Sequence, residues 1–218
     1  MALFRIRSAA TYGIDAHLID VEVEMYPGSD RDFITVGMPD TAVRESRERI
    51  KSALINSGFG YPSQSVTINL ATANVRKEGA GFDLPMALGI LGAMGRVASP
   101  DDHLFVGGAV AGWRGAAGAR GAVDRRLRAQ EGIANLVAPA ENAAEASVAG
   151  GVRVFGVRHL AEVVRLLENP AAFTPHAGAS TASAPQTGAA LDFAMCAARL
   201  LLNARSKSPA QVGIIYFL

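Results

Sequence analysis

The segment FITVGMPDTAVRESRERIKSALINSG, residues 33–58, is typical of a short strand followed by a turn and an amphipathic helix. Phe33–Val36 is apolar and rich in β-branched residues, which favours a strand. Asp40 is a suitable N-cap for a helix that runs to about Asn56, and Gly58 follows its last turn. The helix would expose its charged residues and bury an apolar stripe, which consists of Val43, Ile50, Ala53 and Leu54.

A second strand is predicted just before this segment, at residues 18–25. Apolar and acidic side chains alternate there, which indicates a strand with one wet face. The apolar positions are Ile19, Val21, Val23 and Met25. Pro27–Asp30 has turn composition, so we predict that Phe33–Val36 is the return strand of a hairpin.

The rest of the first 170 residues alternates short apolar runs with helical patterns. Further strands are predicted at 66–70, 104–106, 136–138 and 152–155, and helices at 83–94, 122–131, 141–148 and 159–167. The glycine-rich run 107–121 lacks the order of a dinucleotide-binding loop, and we predict hairpin turns there. The pattern predicts an α+β (mixed α/β) fold with helices packed on a mixed sheet.

Composition limits the kinds of protein this chain can be. It has 218 residues and a net charge of +1, which gives no overall attraction to nucleic acid or to anionic membranes. Cys196 is the only cysteine, which excludes an internal disulfide and suits a reducing compartment. No stretch reaches the ~18 apolar residues of a spanning helix. We therefore expect a cytoplasmic protein that makes no membrane contact.

Three regions are predicted along the chain. Residues 1–170 form the folded domain, and residues 171–190 form a disordered linker, because their Thr, Pro, Ala, Gly, Ser and Gln composition cannot bury enough apolar surface. Residues 191–218 form a divergent tail that is too short to be a domain.

Several motifs in the first region resemble the N-terminal domain of the YifB/ComM family, which are bacterial magnesium-chelatase-like AAA+ proteins. The resemblance runs from Ala2 to about Leu167, and its motifs are Val36–Asp40, Asn69–Ala71, Arg76–Gly89, Phe105–Gly107 and Val137–Asn142. It implies a fold similar to the proteolytic domain of Lon, in the ribosomal-protein domain-2-like superfamily. It also implies that full-length relatives carry an ATPase module that uses ATP and magnesium, and that ComM-type relatives are hexameric DNA branch-migration motors in natural transformation.

The ATPase module is the part of the family pattern that this sequence lacks. Leu191–Ala194 resembles the start of that module, and Met195–Arg199 departs from the pattern. No Gly-x-x-x-x-Gly-Lys-Ser/Thr motif occurs, so we expect no nucleotide, no metal and no ATP hydrolysis in this chain. The hypothesis is a truncated or frameshifted family member, with a remnant of a broken gene as the alternative.

The resemblance to Lon raises the question of a serine–lysine peptidase. The Lon serine would fall at about Gly81 and the Lon lysine near Val123, and neither residue can do that chemistry. A shifted pairing would need Lys77 with Ser63 or Ser65, which precede a strand and have no reason to approach it. We expect no catalytic residues. The chain is interpreted as the non-catalytic N-terminal domain of a ComM-type AAA+ protein that contacts subunits or DNA only, and a Lon-like serine peptidase is the alternative function.

Two groups of residues are candidate contact sites. The first is a candidate contact loop that could bind an anion or a neighbouring subunit, or could be only a strand-to-helix connection with Asp83 as a helix cap; it consists of Arg76, Lys77, Glu78, Gly79 and Asp83. The second is a basic patch that could contact phosphates or be the solvated face of a helix; it consists of Arg114, Arg120, Arg125, Arg126 and Arg128. The scattered histidines are expected at the surface rather than as ligands. The expected partners are DNA, other copies of the chain, or the AAA+ module of the family.

Overall fold

In a computed structural model the described residues are 2–12, 15–28, 32–71, 77, 79–107, 132–147 and 151–176. The chain divides into two compact units, Met1–Ser180 and Thr181–Leu218, and the second unit contains no described residue. The domain boundaries predicted at residues 170 and 190 therefore stay predictions. The hairpin turns predicted at 108–121 and the helix predicted at 122–131 lie outside the described residues.

The first sheet has four strands in the order β1-β2-β4-β3. Strands β1 (Ala2–Tyr12) and β2 (Asp15–Tyr26) form an antiparallel hairpin. Strand β4 (Ser65–Ala71) pairs antiparallel with β2, and β3 (Phe33–Val36) pairs parallel with β4. The predicted hairpin between β2 and β3 is therefore wrong, because β4 lies between them.

Burial explains this strand order. Strand β4 places Val66, Ile68 and Leu70 in the core, which suits an inner position. Strand β3 alternates half-buried and exposed side chains, which suits an edge. Strand β1 was not predicted from the sequence. Its buried positions include Ser8, between Ile6 and Ala10, and this polar residue interrupts the alternation of apolar and polar residues that indicates a strand.

The segment between β3 and β4 forms two helices, α1 (Thr41–Arg44) and α2 (Ser46–Asn56), with Glu45 between them. The Asp40 side chain accepts a hydrogen bond of 2.8 Å from the Val43 N–H, which confirms the predicted N-cap. The single predicted helix is thus divided, and it ends as expected at Gly58, whose φ is +80°.

Helix α3 (Asp83–Ala93) follows a 3-10 turn, Gly79–Phe82, and lies directly on the first sheet. Its two inner glycines permit this close approach. A Cβ on Gly89 would lie 2.4 Å from Val23 Cγ2, and one on Gly92 would lie 2.2 Å from the Phe4 ring. Any larger residue at either position would therefore require Val23 or Phe4 to move.

The second sheet is parallel and consists of β5 (His103–Phe105), β6 (Asn135–Pro139) and β7 (Arg153–Val157) in that order. Helix α4 (Ala140–Ser147) packs on β6 and β7, and α5 (Leu160–Glu168) precedes a 3-10 turn, Pro170–Ala172. The mixed α/β class is confirmed, with two sheets in place of the single mixed sheet that was predicted. Among the helices of the described part of the chain, none has the length and apolarity needed to cross a membrane.

Candidate functional site at the ends of β3 and β4

The parallel pair β3 and β4 brings two connections to the same edge of the first sheet. Beyond Val36 the chain passes through Gly37–Asp40, and beyond Ala71 it reaches Lys77. The Asp40 N–H donates to the Lys77 carbonyl over 3.0 Å, and the Lys77 N–H faces the Met38 carbonyl at 3.4 Å. This bridge extends the parallel pairing past the strand ends and places Lys77 beside the residues that precede α1.

Backbone conformation at Gly37 and Met38 is unusual. Gly37 has a φ of +99°, and a Cβ there would lie 2.3 Å from the Leu70 carbonyl oxygen. Met38 has a φ of +58°, a region that non-glycine residues seldom adopt, and its side chain is 58% exposed. The turn thus depends on glycine at one position and presents an apolar side chain to solvent at the next.

Lys77 is fully buried, unlike the exposed loop residue that its polar surroundings in sequence suggest. Burial lowers the pKa of its ammonium group, because a charge is less stable away from water. Its neighbours Arg76 and Glu78 lie outside the described residues, as do all five arginines of the predicted basic patch.

Asp83 does not cap α3, so the predicted capping role is wrong. The N-cap position of α3 is Phe82, and Asp83 is the first helical residue. The Asp83 carboxylate instead receives two hydrogen bonds from Arg49 of α2, from Nε at 2.6 Å and from Nη2 at 3.0 Å. Arg49 Nη2 also donates to the Ala42 carbonyl at 2.8 Å. One guanidinium therefore joins α1, α2 and α3.

The environment of this ion pair is asymmetric. The Asp83 side chain is 1% exposed and that of Arg49 is 32% exposed. Burial raises the pKa of Asp83, and the hydrogen bonds and positive charge of Arg49 act in the opposite direction. The hydrogen bond to Asp83 in turn raises the pKa of Arg49. The sequence had suggested that Arg49 belongs to the wet face of α2, and no local pattern connects it with Asp83.

The position that matches the Lon serine, Gly81, has space but no side chain. A Cβ built on Gly81 would meet no atom within 4 Å, and its carbonyl accepts a hydrogen bond of 2.9 Å from the Gly107 N–H. The alternative nucleophile Ser65 begins β4, whereas Lys77 lies beyond the other end, so about 20 Å of extended strand separates them. Val123, the position that matches the Lon lysine, lies outside the described residues.

A second polar cluster, which the sequence did not predict, lies at the start of the second sheet. His103 is 7% exposed, in contrast to the surface position expected for the histidines. Its Nδ1 lies 2.6 Å from Asp102 Oδ1, and Asn135 Nδ2 donates to Asp102 Oδ2 over 2.9 Å. These contacts connect β5 to β6. Within the described ranges no group of three or more His, Cys, Asp or Glu residues is arranged to hold a metal ion.

Comparison with known proteins adds to this geometry. The family model described as subunit ChlI of Mg-chelatase matches residues 21–142. The chain is 35% identical over 168 residues to "Competence protein ComM" of Haemophilus influenzae, which covers 77% of this chain and 33% of that protein. It is 34% identical over 169 residues to the uncharacterized protein YifB of Salmonella typhimurium and to that of Escherichia coli, with the same coverage of 77% and 33%. The chain thus spans about a third of the length of these curated relatives.

Proposed function

We propose that this chain, which belongs to the YifB/ComM family of magnesium-chelatase-like proteins, is a non-catalytic contact domain of a ComM-type protein. Its task would be to bind other subunits rather than to transform a substrate. The ATP-dependent work on DNA would belong to the AAA+ module of full-length relatives, whose ATP and magnesium have no counterpart site in the motifs of this chain.

The observation that carries the proposal is the state of three charged residues close to Gly81 in sequence or on the neighbouring connection, none of which presents a free catalytic group. Asp83 is bound by Arg49, Asp40 caps α1, and Lys77 is buried. Covalent catalysis requires a nucleophile within hydrogen-bond reach, about 2.6–3.2 Å, of a base that an incoming substrate can approach. Gly81 supplies no nucleophile, so the arrangement supports structure and contact rather than peptide hydrolysis.

A contact role is further supported by the surface next to this site. Three apolar side chains are exposed along β3 and the turn after it: Ile34, Val36 and Met38. Contiguous exposed apolar groups are typical of protein–protein contact. We therefore propose that the partner is a protein subunit, either another copy of the chain or the AAA+ module of a ComM-type protein.

Contact with DNA is the second candidate, and the arginines between 114 and 128 favour it. It predicts affinity that falls steeply with salt, with a slope of roughly 0.9 per phosphate contact. Binding of a fluorescent forked DNA would be compared for the chain and for Arg125→Ala/Arg126→Ala/Arg128→Ala. The matched control is Arg44→Ala/Arg47→Ala, which removes exposed arginines from α1 and α2. A reduced slope in the first variant alone would support DNA contact.

The principal test combines association with a search for activity. The purified chain is mixed with a full-length ComM-type protein and analysed by sedimentation, and a separate sample is treated with a fluorophosphonate serine reagent. We expect association that persists at high salt, because the exposed surface is apolar, and no labelling. Labelling that disappears in Ser63→Ala or Ser65→Ala would instead support the peptidase, and absence of any association would contradict the contact role.

A further inference from the structure

The outer edge of β3 is open in the described part of the chain. The strand order places β1 at one edge of the first sheet and β3 at the other. The β1 edge is covered by the segment before β5, since Ser99 Oγ donates to the Arg5 carbonyl at 3.1 Å and Arg7 Nη1 donates to the Asp101 carbonyl at 2.9 Å. No described strand pairs with β3 on its outer side. Among the described residues, no partner strand accounts for the outward peptide groups of β3.

The side chains along this edge do not protect it. Ile34, Val36 and Met38, which we call the β3 stripe, are 44%, 43% and 58% exposed. Phe33–Val36 contains no charged residue and no proline. Natural edge strands are usually protected from pairing by lysine, proline, a bulge or a covering segment. The edge of β3 is short, and it is otherwise suited to receive a strand.

The direction of the peptide groups follows from one hydrogen bond. The Val66 N–H donates to the Asp32 carbonyl over 2.8 Å, so the peptide groups of Asp32 point toward β4. Successive residues of a strand point their N–H and C=O to alternate edges. Those of Ile34 and Val36 therefore also point toward β4, and those of Phe33 and Thr35 point outward.

We propose that β3 pairs antiparallel with β3 of a second copy of this chain, with Thr35 opposite Thr35 across a two-fold axis. This inference names the partner for the contact role proposed above and rests on it. The outward N–H and C=O of the two Thr35 residues form a hydrogen-bonded pair, which is the pairing that their direction permits. Ile34 then lies opposite Val36 of the second copy, and the reverse, so the two β3 stripes meet. Two four-stranded sheets become one continuous sheet.

A further observation favours a second copy over an unrelated strand. The acidic side chains on the wet face of the sheet, Glu22 and Glu24, belong to β2, about 10 Å from β3 because β4 lies between. The seam therefore joins apolar to apolar side chains without opposing like charges.

The register makes a specific experimental prediction. In Ile34→Lys/Val36→Lys like charges oppose each other across the axis, whereas in Ile34→Lys/Val36→Glu each new cation faces a new anion. Sedimentation velocity over a wide range of protein concentration would measure the dimer. The Lys/Lys variant should raise the dissociation constant at least about tenfold, since like charges directly opposite destabilise a strand pair. The Lys/Glu variant should dimerise better than the Lys/Lys variant.

The control is Ile55→Lys, which removes a similarly exposed apolar side chain, 51% exposed, from α2 and should leave the dimer unchanged. Circular dichroism would verify that each variant is folded. In a Cys196→Ser background, Thr35→Cys should form a disulfide-linked dimer on oxidation, because paired strand residues have Cα atoms about 5.5 Å apart, within disulfide range. Ser52→Cys, at an exposed position of α2, should not.

Several outcomes would overturn the proposal: a chain that stays monomeric at every concentration, or Lys/Lys and Lys/Glu variants that dimerise equally well. If the wild-type chain does not self-associate but binds a full-length ComM-type protein, this inference alone is overturned. If the wild-type chain does neither, the proposed function is overturned as well.

Discussion

The guanidinium of Arg49 donates two hydrogen bonds to the carboxylate of Asp83, from Nε to Oδ2 at 2.6 Å and from Nη2 to Oδ1 at 3.0 Å. The pair joins the middle of α2 to the first turn of α3, two residues after Gly81. A buried carboxylate held in this way needs its partner in order to remain ionised at low free-energy cost. The pair therefore has a structural role, which is to hold α2 against α3.

Replacing Arg49 by alanine should destabilise the chain strongly. Breaking a fully buried pair costs about 3–5 kcal/mol, and the partial exposure of Arg49 lowers the expected loss below that range, to about 2–3 kcal/mol. Arg47→Ala is the matched control on the same helix: the Arg47 side chain is well exposed, and its contacts are Glu48 at 3.8 Å and the hydroxyl of Tyr61. Urea unfolding should show a change within about 0.5 kcal/mol for that control.

A double substitution distinguishes two costs of Arg49→Ala: the loss of the ion pair and the burial of an unpaired Asp83 carboxylate. Asp83→Asn removes the buried charge, so in the Arg49→Ala background it should recover part of the lost free energy of unfolding. Equal stability of Arg49→Ala and Arg49→Ala/Asp83→Asn would show that the buried carboxylate is not the source of the cost.

Lys77 should make stability rise with pH in the alkaline range. Its pKa is lowered by burial from the ordinary value of 10.5, so between the folded and unfolded pKa values the unfolded chain binds more protons. The free energy of unfolding then increases with pH in that window. The free energy of unfolding of the wild-type chain minus that of Lys77→Met should increase as the pH rises toward the ordinary pKa of 10.5, measured by urea unfolding at several alkaline pH values.

Tyr61 should make stability fall as the pH rises, which is the opposite of the effect of Lys77. Burial raises the pKa of the Tyr61 hydroxyl, so the folded chain binds more protons than the unfolded chain. This contribution is the same in the wild-type chain and in Lys77→Met, so it cancels in the comparison. Parallel pH profiles for the two proteins would mean that the Lys77 ammonium group keeps its ordinary pKa when folded.

Gly37→Ala should destabilise the chain more than Gly58→Ala. Both glycines have positive φ angles, +99° and +80°, so alanine is strained at either position by about 1–2 kcal/mol. At Gly37 the new Cβ would also lie 2.3 Å from the Leu70 carbonyl oxygen, whereas at Gly58 it would meet nothing within 4 Å. Thermal unfolding should rank the wild-type chain, Gly58→Ala and Gly37→Ala in that order. Equal losses would show that the turn after β3 moves away from Leu70 at little cost.

Gly81→Ser should fold normally and remain unreactive. The space around Gly81 admits a Cβ, so the melting temperature should change little. The nearby lysine is buried, so we expect no activated hydroxyl and no labelling by a fluorophosphonate. Labelling of Gly81→Ser that disappears in Gly81→Ser/Lys77→Met would show that Lys77 acts as a base, contrary to the non-catalytic interpretation.

Much of the local structure was predictable because the signals and their consequences are close in the chain. The Asp40 cap acts on an N–H three residues away, and the alternation along β2 directly encodes which side chains are buried. The motifs from Val36–Asp40 to Val137–Asn142 likewise indicated the family that the comparisons show.

The contact role of the candidate loop stays a prediction. The burial of Lys77 and Asp83 and the partnership of Asp83 with Arg49 were not foreseen, because the ion pair joins residues 34 positions apart. The cluster of Asp102, His103 and Asn135 was missed for the same reason, since β6 is far from β5 in sequence.

By itself the sequence determined the strand at Phe33–Val36, the cap at Asp40 and the absence of a serine at position 81, all of which depend on residue type or short-range periodicity. Only the tertiary structure decided that β4 separates β2 from β3. In the sheet, β4 is hydrogen-bonded along both of its edges, and it is distant in sequence from both of its neighbours. That choice turned an expected hairpin strand into a parallel edge strand, and it also left Ile34, Val36 and Met38 facing solvent.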